Sequence, residues 1–312
     1  MTLDLSPLRR KLTKKAGEED SVWPALLLTL YSPLPLRELS PPVAKCVRAY
    51  LDLIPNGALR SGLIGDWIKA LGSNRIARDL RRLEHPAKNV TIEGLYYFSG
   101  ANGPPCDYSV TVELWEVDDP EEDQTVSMVR FEFPWHAAEG DAAEIWISQA
   151  VTLANLIPFS AGTGGFGFSH WQQDRFARDQ VYAMLPHYVG FEHSAWTPSK
   201  FMRGKATTAN WLTFVDNALL ERLGGAQRLH ELAPEATVQT IERGAVVRAA
   251  HWPVVGDVNR GAPDLGSVPG VARWLEPARV TFPFLRGGAV EVDVPAWLHR
   301  FDPFTNGPWD NR

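Results

Sequence analysis

The chain has 312 residues, 45% hydrophobic and 22% charged, which supplies a large core and excludes a disordered or low-complexity protein. The apolar run at 23–30 is too short to span a bilayer, and no small-residue cleavage site follows the charged stretch before it. With two cysteines and no disulfide framework, the sequence reads as cytoplasmic and free of membrane contact.

The net charge of −6 conceals an asymmetry. Residues 107–144 hold twelve carboxylates against the single base Arg130, a local charge of −11 that leaves +5 on the remainder. Such a window repels nucleic acid and suits a basic partner, or else a solvated face that keeps the protein soluble.

In chain order, residues 1–20 read as a flexible polar arm and residues 21–312 as a single α+β unit, in one body or two lobes. A buried strand is expected at 25–31. A helix at 43–53 follows, capped by Ser40, with Pro41 and Pro42 in its first turn and Val43, Val47, Tyr50 and Leu51 on one stripe. Helical pieces are expected at 64–71 and 75–83, the second basic outside through Arg75, Arg78, Arg81 and Arg82. Strands at 90–98, 108–117 and 125–133 form an antiparallel meander. In the second, Val110, Val112 and Leu114 alternate with Thr111, Glu113 and Trp115, the pattern of a sheet with one buried face. An amphipathic helix at 141–157 presents Ile145, Trp146, Gln149, Leu153 and Leu156. A glycine-rich strand at 162–168 precedes a helix at 172–185. A strand at 210–215 then leads to a short helix at 218–223, capped by Asp216 or Asn217 and stopped by Gly224 and Gly225. A hairpin pairs 237–241 with 245–250, and short helices lie near Val271 and Trp297. The whole reads as an antiparallel or mixed sheet meander packed with several amphipathic helices.

Few residues assemble into chemistry. Gly162, Gly164 and Gly167 match GxGxxG, which makes a nucleotide-dependent enzyme the alternative function. The match follows a helix and continues as strand, the reverse of the order a pyrophosphate loop needs. His170 and Asp174 have helical spacing but no third metal ligand, and a capping or surface role suits His170 better. Neither Cys46 nor Cys106 carries a Cys/His catalytic signature. The paired carboxylates of the acidic window read as solvated, not as a tuned acid/base pair. Most of the twelve tryptophans, among them Trp115, Trp146, Trp211, Trp274 and Trp297, sit beside apolar residues and read as core. In GDVNRG (256–261), Asp257 and Asn259 read as turn formers. No catalytic residue, cofactor or metal is expected.

Taken together, LLLTLYS (26–32), FSAGTGGFGFSH (159–170), NWLTFVDNALLERLGG (210–225), GDVNRG, VARWLEPARV (271–280) and WLHRFD (297–302) resemble the type VI secretion immunity family. The resemblance implies a non-enzymatic protein that binds and neutralises a cognate secreted effector toxin. Toxins paired with similar proteins include cytoplasmic nucleases. A nuclease has a basic cleft, and the acidic loop offers it a counterpart, with Asp118, Asp119, Glu121, Glu122 and Asp123 as the candidate partner-binding residues.

Overall fold

The protein was analysed as a computed structural model, which describes residues 4–14, 17–116, 125–171, 173–192, 202–280, 297 and 299–301. The described strands number eleven, in one antiparallel sheet. They are β1 (Arg10–Lys14), β2 (Gly17–Ser32), β3 (Ser61–Ile64), β4 (Trp67–Ala70), β5 (Ile92–Phe98), β6 (Ser109–Trp115), β7 (Ser127–Pro134), β8 (Ala161–His170), β9 (Leu212–Asp216), β10 (Thr237–Ile241) and β11 (Gly244–Arg248). Their order across the sheet is β10-β11-β9-β8-β2-β7-β6-β5-β3-β4, with β1 paired to the start of β2. The described helices are α1 (Leu36–Leu53), α2 (Arg75–Glu84), α3 (Ala142–Asn155), α4 (Arg175–Met184), α5 (Asn217–Arg222), α6 (Gly225–Leu232) and α7 (Val268–Leu275). The expected α+β class and the β5-β6-β7 meander are both present. Within residues 1–20, a 3-10 turn at Ser6–Leu8 buries Leu5 and Leu8, and β1 precedes the opening of β2.

The register separates two chemistries. On one face Leu28 stands opposite Phe131 of β7 and Gly164 of β8, and Phe131 stands opposite Val110. This face packs under α1 and α3. Tyr50 of α1 lies 4.8 Å from the Phe131 ring, and Trp146 of α3 stacks on Trp211 at 5.4 Å. Each buried leucine or phenylalanine contributes roughly 1.5–3 kcal/mol. A second cluster joins Val215, Ala245 and Val247 to Leu219, Leu229, Val271 and Trp274 from α5, α6 and α7.

Several elements differ from expectation. Helix α1 begins after Pro35, four residues before Ser40, because Leu36 and Leu39 are fully buried and carry the helix back. Ser40 lies inside it and donates from Oγ to the Leu36 carbonyl at 2.7 Å. Residues 64–71 form part of the β3–β4 hairpin, turned by Gly65 at φ 62°, a positive angle that suits glycine. On α3 the packed residues are Ala143, Trp146, Ile147, Ala150, Leu153 and Ala154, while Ile145 faces solvent at 61% exposure. Asp216 caps α5 by accepting from the Leu219 N–H at 2.7 Å, and Gly224 and Gly225 hold positive φ beyond it.

The GxGxxG match lies inside β8, buried throughout and paired with β2 on one side and β9 on the other. Its glycines are accounted for by close approach. A Cβ on Gly162 would stand 2.6 Å from the Thr29 carbonyl oxygen, and one on Gly167 would stand 2.2 Å from Leu27. Replacing an interior strand glycine by alanine ordinarily gains about 0.5–1 kcal/mol. Here the backbone contact reverses the sign. Gly162→Ala should lose about 1–3 kcal/mol in urea unfolding, as overpacked cores do, and an unchanged midpoint would refute this packing account.

Candidate functional site

The other face of the sheet carries the second apolar cluster on β9 and β11 and is polar at its centre, where it is also buried. Thr111, Arg130, Thr29, Thr163 and Thr213 are successive register partners, so one row of side chains crosses β6, β7, β2, β8 and β9. Arg130 is only 2% exposed and donates from Nε to Thr29 Oγ1 at 3.1 Å. Two residues along β7, Glu132 stands opposite Ser109, and on β6 Glu113 stands opposite Met128. Glu113 accepts from the Tyr96 hydroxyl at 3.0 Å. A third glutamate comes from outside the named strands. Glu192 bridges β8 beyond the residues that pair with β9, its N–H bonding the Phe166 carbonyl at 2.7 Å, and its carboxylate accepts from Thr163 Oγ1 at 2.6 Å.

Burial pushes all three carboxyls above the ordinary value of 4.5. Against it act the Tyr96 hydroxyl and Arg130 at Glu113, Ser169 and Arg130 at Glu132, and Arg130 and Thr163 at Glu192. Arg130 is the element common to all three. Oε2 of Glu132 has no hydrogen-bond partner among the described residues. The acidic window is therefore not one solvated face. Glu113 and Glu132 are internal, Glu116 pairs with Arg37 at 3.7 Å, and Glu144 pairs with Arg248 at 2.7 Å. Asp118, Asp119, Glu121, Glu122 and Asp123 lie outside the described residues.

Other candidates resolve into structural roles. His170 ends β8 at 8% exposure, its Nδ1 3.1 Å from the Phe168 carbonyl, in place of the surface or capping role expected for it. Burial holds its pKa near 4, so it is neutral at ordinary pH. Asp174 instead caps α4, accepting from the Phe176 and Ala177 N–H groups. Among the described residues no three His, Cys, Asp or Glu side chains are arranged to hold a metal ion. Asp257 makes the expected turn, accepting from the Asn259 backbone N–H and Nδ2 at 3.0 and 2.9 Å. Both cysteines are buried and unpaired in disulfides, and burial pushes the Cys106 thiol up to about 12 and that of Cys46 higher still. The basic face of α2 is only partly solvated. Asp79, at its centre, is 1% exposed and takes Arg75 Nε at 2.5 Å and the Tyr97 hydroxyl at 2.6 Å, tying the helix to β5.

The central strands are therefore buried on both faces, with Arg130 set among three internal carboxylates. Residues 66–301 match the family model TsiV, described as type VI immunity for VRR-NUC, and the chain belongs to that family. Among solved structures it is similar to the Pseudomonas aeruginosa T6SS protein PA0821, with a TM-score of 0.76 over 94% of this chain and 87% of that one. At 16% identity that likeness is one of fold. No curated protein matches the chain at a significant level. No described helix is long and apolar enough to cross a membrane.

Raised carboxyl pKa values mean that the folded state holds these protons more tightly than the unfolded chain does. The stability they contribute is present below about pH 4.5 and is lost as pH rises through the higher native values. Arg130→Met removes the compensating cation, so the native values should climb further. The variant should be less stable by roughly 3–5 kcal/mol at neutral pH, with a smaller deficit near pH 5. Urea unfolding at both pH values tests this, and a deficit independent of pH would refute the compensation.

Proposed function

We propose that the chain is a stoichiometric inhibitor of a VRR-NUC effector of a type VI secretion system, acting in the cytoplasm by covering the surface that nucleic acid would occupy. The observation that carries this reading is the family match over residues 66–301. Physical chemistry agrees with it in two respects. A concentration of carboxylates opposes nucleic acid and attracts a protein whose own ligand is polyanionic. A scaffold built on one continuous sheet presents its surface already ordered, which lowers the entropy cost of binding. On this reading the protein performs no reaction and needs no cofactor.

The direct test is a titration. Nuclease activity of the purified cognate effector should fall linearly and reach zero at one equivalent of this chain, and co-expression should restore growth. Persistent activity at several equivalents, or complete inactivation at a small fraction of one, would each overturn the proposal.

Within this reading, Asp118, Asp119, Glu121, Glu122 and Asp123, which join the ends of β6 and β7 in the sequence, steer the effector into contact. Changing the three aspartates to Asn and the two glutamates to Gln together should slow association by about tenfold at low salt and flatten its salt dependence. An unaltered association rate would remove the loop from the interface.

A further inference from the structure

The end of β7 opposite that acidic loop borders an open cleft of about 680 Å³. Its floor is apolar, with Phe166 from β8, Ala138 after β7, and Pro253 and Val254 from the segment that follows β11. Two indoles line it, the half-exposed Trp135 and Trp252, which is 40% exposed. Three carboxylates also line it, Glu139, Glu235 and Asp264, while no lysine or arginine does so among the described residues. None of the three has a described ion pair; Asp264 Oδ1 accepts the Gly266 N–H at 2.9 Å, and Oε1 of Glu139 is buried without a hydrogen-bond partner. The nearby cation Arg248 is already engaged, 2.7 Å from Glu144.

The wall bearing Trp252 is irregular but fixed at both ends. Before it, the Ala249 N–H bonds the Trp211 carbonyl at 2.9 Å, and the Ala250 carbonyl accepts from the Trp211 indole at 2.8 Å. Beyond it, the Val255 and Gly256 carbonyls accept from Gly190 and Val189 at 3.1 and 3.0 Å. His251 meets the Trp252 ring edge to face at 4.4 Å. An exposed indole on a wall held this way is pre-organised, and tryptophan in an apolar recess is the residue type that carries binding energy at interfaces.

Apolar lining, two indoles and three carboxylates without a described cationic partner together describe a receptor for a flat cation. A guanidinium stacks on indole and pairs with carboxylate through the same planar group, whereas an ammonium is more strongly hydrated and acts as a point charge. We infer that this cleft is the anchoring site for an arginine-bearing loop of the effector, an inference that rests on the inhibitor reading above. The steering loop and the anchor then act at opposite ends of β7, the first on association and the second on dissociation.

The experiment measures binding of the effector's purified VRR-NUC domain by the full chain and by three variants, with thermal melts to establish that each is folded. Trp252→Ala should speed dissociation at least about tenfold. The combined Glu139→Gln, Glu235→Gln and Asp264→Asn variant should do likewise, with a flatter salt dependence. Trp67→Ala, an indole 71% exposed on β4 at the far edge of the sheet, should leave binding unchanged. Replacing exposed effector arginines by lysine one at a time should reveal one whose effect is strongly non-additive with Trp252→Ala. If the unaltered chain binds and both cleft variants dissociate at its rate, the cleft inference falls and the inhibitor reading stands. If no effector arginine couples to Trp252, the assigned occupant is wrong. If the unaltered chain does not bind the effector, both readings fall together.

Discussion

Arg130 is the one charged member of a row of side chains crossing five strands, and its charge allows the polar centre of the sheet's second face to be closed. A sheet with one wet face needs no such device, since its polar side chains keep their water. Here Glu113, Glu132 and Glu192 are within 8% of complete burial, and burial alone would favour their neutral forms. A cation beside them, held on Thr29 of β2, offsets part of that cost without any strand leaving the sheet. Leu26, Leu28 and Leu30 of β2 point the other way, into the core under α1 and α3, so one strand serves an apolar layer and a charged one at once. Damage to β2 between Leu26 and Leu30 would be felt in both layers.

The fold class was legible because alternation and helix caps are local signals. Val110, Val112 and Leu114 are all buried as their spacing implies, and Asp216 caps α5 through the bond its position predicts. Errors arose where two periodicities coincide over a short span. Leu63, Ile64, Trp67, Ile68 and Leu71 have spacings that suit a helix face, yet a glycine turn divides their segment into a hairpin. On α3 three of the six buried residues are alanines, which a hydrophobicity stripe undervalues, and the larger Ile145 is left outside.

The polar centre was hidden for a different reason. A glutamate on the non-core side of an alternating strand is ordinarily solvated, and nothing within β6 or β7 distinguishes Glu113 or Glu132 from that case. Their burial is a tertiary fact, created by segments distant in sequence such as the one bearing Glu192. Charge density in the window 107–144 therefore mixed three situations: internal carboxylates, surface ion pairs with Arg37 and Arg248, and the loop itself. The interaction cleft escaped as well, because its indoles and carboxylates come from residues 135 to 264 and share no motif.

Both thiols are sealed. Cys46 sits under α3, with its sulfur 3.4 Å from the Leu153 carbonyl, and Cys106 contacts the Tyr108 carbonyl at 3.3 Å. Nucleophilic attack and oxidation proceed through the exposed thiolate, and here access is closed and ionisation opposed together. Alkylating reagents and peroxide can consequently reach sulfur only in molecules that have opened. The protein thus carries its own clock for breathing of the core: maleimide labelling over hours counts opening events directly, with no engineered probe.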